Sequence, residues 1–194
     1  MPAAVQHLIA LIIPAHVPVK NISEFYAGIL HPLIVPAHVL AIIIAGFVAA
    51  RIPAYTLSLT RSFAGGLLVG LCASGLGLRV DETTALLILM IIFLSGVYVA
   101  ANLPHLQKYA TNISYGLAIS AGILVGLDTV FNDLDGAALW WCLLGTLVGA
   151  SVMSFVVARF ARLARQPWQH IAVRVAASWI AAIGLLMLAL ALAG

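Results

Sequence analysis

Charge is scarce in this chain. Of 194 residues, nine are Lys or Arg and six are Asp or Glu, a charged share of 8%. A soluble globular domain carries about 25% charged and about 45–50% apolar residues, whereas the hydrophobic share here is 64%. That balance excludes a water-soluble domain and points to an integral membrane protein. Cysteine is scarce too: Cys72 and Cys142 are the only two, each inside an apolar run, so a disulfide framework is not expected. Alternating strand patterns are missing, which argues against a β-barrel. Paired catalytic carboxylates, phosphate loops and nucleophile–base sets are missing as well, so enzymatic activity has no sequence support. The net charge is only +3 and the basic residues lie in loops, which leaves no nucleic-acid patch.

What the chain has is apolar length. A spanning helix needs about 20 mostly apolar residues, and six runs meet that need, roughly 25–50, 62–79, 83–104, 109–131, 136–158 and 171–193. The expected fold is a single all-α transmembrane domain over 1–194, a bundle of six spans with short loops and no internal repeat. Residues 1–19, "MPAAVQHLIALIIPAHVPV", are short and punctuated by Gln6, His7, Pro14, His16 and Pro18. With no basic start and no clear A-x-A site they read as an interfacial or re-entrant helix rather than a cleaved signal peptide.

Positive charge sets orientation. The loops after the first, third and fifth spans carry Arg51, Arg61, Lys108, Arg159, Arg162 and Arg165, and Arg174 falls on the same side; Lys20 and Arg79 lie opposite. The larger group is expected in the cytoplasm, with both termini outside. Asp81, Glu82, Asp133 and Asp135 then gather outside, with Asp128 just within the membrane. Gly66 and Gly70, Gly122 and Gly126, and Gly145 and Gly149 are each four apart, a spacing that lets helices approach closely. These glycines predict tight packing and nothing more.

The chemistry concentrates in "GILHPLIVPAHVLA", residues 28–41. Ionisable residues inside a span are costly and raise a functional hypothesis. His31 and His38 are seven residues apart, so a straight helix points them the same way and separates them by about 10 Å along its axis. That spacing suits two stations on a path better than one shared metal. Pro32 and Pro36 cannot donate to the carbonyls of Gly28 and Pro32. The freed carbonyls must find protein, water or ligand, and a kink would bring the histidines closer. Imidazole binds nickel, copper and zinc. The structural alternative is two core histidines bonded to nearby carbonyls beside a plain kink.

Counting residues from the span ends places Asp128, Cys72 and Cys142 within a turn or two of His31. Asp128 is the strongest of these as an additional ligand; its alternative is a helix end exposed to water. Cys72 and Cys142 read first as small core filler and only second as further ligands. Two histidines on one helix do not make the facing pair that a haem needs.

The same stretch resembles the HupE/UreJ family of membrane proteins. That family's first span carries His-Pro-x-x-Gly-x-Asp-His, followed by Leu-Ala and a glycine-ended apolar run. Here the matching positions are His31, Pro32, Leu33, Ile34, Val35, Pro36, Ala37 and His38, with Leu40, Ala41 and Gly46 following. Val35 stands where the motif has glycine, and Ala37 where it has aspartate. The resemblance implies an inner-membrane permease for nickel or a related divalent metal, supplying hydrogenase or urease assembly, with the motif histidines as metal contacts. The metal would be cargo, and no permanently bound cofactor is expected. The implied partners are the lipid bilayer, the transition-metal ion and metalloenzyme assembly proteins, with a homo-oligomer a further candidate. Without the motif aspartate, a non-transporting accessory or structural subunit stays open as the alternative.

Overall fold

A computed structural model describes residues 23–78, 82–101, 104–131, 134 and 136–193. The run 1–19 lies outside them, as do Asp81, Asp133 and Asp135. Among the described residues there are seven α-helices and no strand: α1 (Glu24–Ile34), α2 (Pro36–Ala50), α3 (Thr56–Gly75), α4 (Glu82–Ala101), α5 (Ala110–Asp128), α6 (Gly136–Arg162) and α7 (Pro167–Ala193). Short 3-10 turns at Pro53–Tyr55 and Pro104–Tyr109 lead into α3 and α5. Helices α3 to α7 are each long and apolar enough to cross a membrane, and α1 with α2 forms a sixth candidate bent by 81°.

The bend follows from one residue pair. A residue before proline is pushed out of the α region, and Val35, before Pro36, is extended at φ −84 and ψ 112. Pro36 then opens α2 at its first position, where a missing N–H costs nothing. Both halves nonetheless run the same way along α6. Phe25 and Ile29 lie over Gly145 and Gly149, and Gly46 lies against Ser154 and Val157 further down. Ala49 shares a buried cluster with Ala158. The pair therefore descends α6 as one broken span.

The helices alternate in direction. At one end Arg51 donates to the carbonyl of Tyr98, the Tyr98 hydroxyl donates to that of Ala110, and Arg174 donates to that of Ala100. This end collects Arg51, Arg61, Lys108, Arg159, Arg162, Arg165 and Arg174. At the other end Ser74 donates to the carbonyl of Thr129, and Gly75 lies against Trp140 and Leu143. The second span starts earlier than its apolar run suggested, at Thr56 rather than 62. Its polar first turns fit a helix because Thr56 and Thr60 hydroxyls donate to carbonyls three or four residues back, which removes their cost. The last span likewise begins at Pro167.

Glycine sets the closest approaches. A Cβ on Gly122 would strike the Phe63 carbonyl of α3, and one on Gly66 the Ile119 carbonyl of α5. The same interlock at Gly70 and Gly126 makes α3–α5 the most extensive helix pair among the described residues. Helix α2 packs against all six others. It buries eight of its fifteen residues, His38 among them.

Candidate functional site

The break at Val35 and the end of α5 meet. Helix α1 carries His31 in its last turn, and α2 carries His38 in its first. Straight, the helix would hold the two about 10 Å apart along its axis; broken, it brings their ring centroids to 5.8 Å in an edge-on contact. Asp128, the last residue of α5, reaches across so that His38 Nε2–H donates to Asp128 Oδ2 at 2.9 Å. His38 is 0% exposed, while the Asp128 side chain keeps 27% of its surface accessible.

The carboxylate's place is informative. A helix C-terminus carries partial negative charge and disfavours an anion, so Asp128 does not serve α5. It lies instead at the first turn of α2, where the helix dipole favours an anion. The motif's aspartate position, Ala37, has no carboxylate, and one arrives from α5.

Around this pair the site is apolar and tightly held. Phe131 packs its ring on His31 at 4.7 Å between centroids. The His38 Nδ1 atom is buried with no hydrogen-bond partner. Pro32 is buried one turn before the break. The Gly28 carbonyl that Pro32 frees has a protein partner here. Thr146 Oγ–H lies 3.0 Å from it and 3.1 Å from the Cys142 carbonyl. Gly28 must be glycine, since a Cβ there would strike that Cys142 carbonyl. Cys142 thus meets α1 through its backbone; its thiol and that of the half-buried Cys72 are free.

Sequence reasoning brought together His31, His38 and Asp128 as candidates, and the structure sets them side by side. It did not single out Phe131 or Thr146. The signal for Thr146 was the Gly28 carbonyl itself, which needed a donor. Among the described residues, no group of three or more His, Cys, Asp or Glu side chains is arranged to hold a metal ion. The arrangement is one buried imidazole, one carboxylate and a second imidazole alongside.

A helical chain that crosses the bilayer repeatedly and keeps an ionisable cluster at a broken span belongs to the multi-pass membrane proteins with an intramembrane polar site. Its family is also clear. The family model described as HupE / UreJ protein matches residues 4–187, nearly the whole chain, and the chain belongs to that family. No curated protein and no solved structure matches it.

Proposed function

We propose that the protein is a permease for a divalent transition metal, nickel first among them, that supplies metalloenzyme assembly of the hydrogenase or urease kind. The single observation that carries this reading is the His31–His38–Asp128 cluster at a break in a membrane span. Ionisable groups are retained at such depth where they serve a path, and imidazole suits nickel. Family membership points the same way.

The orientation follows from charge. Seven of the nine basic residues gather at one end of the bundle, and by the positive-inside rule that end is cytoplasmic. Both termini then face the outside of an inner membrane. A cation arriving from the outer side meets the accessible Asp128 carboxylate first and the histidines next. Nickel uptake in cells lacking their own importer tests the reading. The expected result is uptake by the wild type and little by His31→Ala or His38→Ala; equal uptake by all three refutes it.

A second reading, a non-transporting accessory subunit, is favoured by one observation, the lack of any three-ligand group among the described residues. Copurification with a stable partner complex, together with no metal binding by the purified protein, would support it over the first.

A further inference from the structure

We propose that Asp128 is a positioning residue rather than a metal ligand, and that it turns the His38 ring so that Nδ1 is the atom presented to the metal. This rests on the permease reading and names the donor atom within it. Two independent observations carry it. Asp128 Oδ2 accepts the Nε2–H of His38 at 2.9 Å, and His38 Nδ1 is wholly buried with no partner. A carboxylate only accepts, so Nε2 holds the proton, and in a neutral ring Nδ1 then holds a lone pair. The two ring nitrogens diverge, so Nδ1 points away from the carboxylate. Buried polar atoms are nearly always bonded, and an orphan calls for an explanation.

The chemistry of carboxylate–histidine–metal triads supplies one. The carboxylate fixes the tautomer and ring orientation and makes the far nitrogen more basic. A neutral imidazole is also the form that ligates metal. Asp128 is suited to the holding role because it sits at the first turn of α2, where the helix dipole keeps a carboxylate in place.

The test uses the full chain in lipid nanodiscs with Ni2+ for affinity and Zn2+ for nuclear magnetic resonance of 15N-labelled histidine. Asp128→Ala is expected to weaken Ni2+ binding about 10–100-fold, and His38→Ala to abolish it. Asp128→Asn, whose amide oxygen still accepts from Nε2–H, should recover most of the affinity. In the wild type the His38 Nε2 signal should be that of a protonated nitrogen, and Zn2+ should shift Nδ1. In Asp128→Ala the two tautomers should mix and Zn2+ should no longer select Nδ1, a loss of metal selectivity that a merely structural role would not produce. Zn2+ on Nε2 overturns the inference. So does unchanged affinity in Asp128→Ala, or a loss as complete as that of His38→Ala with no rescue by Asn. In each of those cases Ni2+ binding that depends on His38 leaves the permease reading standing. A wild type that binds no Ni2+ overturns both.

Discussion

His38 and Asp128 lie 90 positions apart in the chain and 2.9 Å apart in space. Their contact ties the first turn of α2 to the last residue of α5, so it serves the bundle as well as the site. Removing the carboxylate leaves His38 Nε2 without an acceptor in a fully buried place. Asp128→Ala should therefore cost about 1–3 kcal/mol of stability, and Asp128→Asn much less. Thermal unfolding in detergent measures the difference.

The break in the first span comes from Val35 preceding Pro36. With Pro36→Ala, Val35 regains the α region and residue 36 regains its N–H. Spin labels at positions 26 and 50 would be about 27 Å apart across the bent pair and about 36 Å apart on a straight helix. The expected outcome is a new longer-distance population in pulsed electron resonance. An unchanged distance would show that packing on α6, rather than the proline, holds the bend.

Thr146→Val keeps the shape of the side chain and deletes its hydroxyl. The Gly28 carbonyl, already deprived of a helical donor by Pro32, would lose its hydrogen bond from α6. Hydrogen bonds between membrane helices average about 0.6 kcal/mol and reach about 1.7 kcal/mol, and a loss of that order is expected. Thr146→Ser should retain most of it, and equal stability for Val and Thr would show that the bond contributes nothing.

Glycines in the same helix should respond in opposite ways. Gly122→Val would drive a side chain into the Phe63 carbonyl, and overpacking of this kind costs about 1–3 kcal/mol or more. Gly116, six residues earlier in α5, has open space where a Cβ would stand. Gly116→Ala should be neutral or gain up to about 1 kcal/mol from helix propensity. Loss of a monodisperse peak in size exclusion by Gly116→Ala would contradict this assignment.

Much of this architecture could be read from the residues. Apolar length gave the spans, basic residues gave their alternation, and four-residue glycine spacing announced tight packing. The proline pair announced trouble in the first span, and the histidines marked where it would matter. What the chain could not reveal was helix order. Nothing in "GLDTVF" says that Asp128 faces His38, because that depends on α5 packing beside α2, and α3 holds α5 there through Gly66 and Gly70. Nor could hydropathy find the start of α3, since Thr56 and Thr60 look like loop until their hydroxyls are seen bonded within the helix. The 81° turn was beyond reach for a related reason: proline ends a helix, but the direction of the next one is decided by what it packs against.

Helix α2 touches every other described helix. Any motion that opens one side of the bundle and closes the other must therefore move against it, and no partition of the seven described helices into two rigid lobes leaves α2 free of the dividing surface. The extended joint Val35 is itself buried, and α1 is locked onto α6 at Gly28, Gly145 and Gly149, so the broken span holds His31 against His38 as a fixed elbow wrapped around a shared central helix.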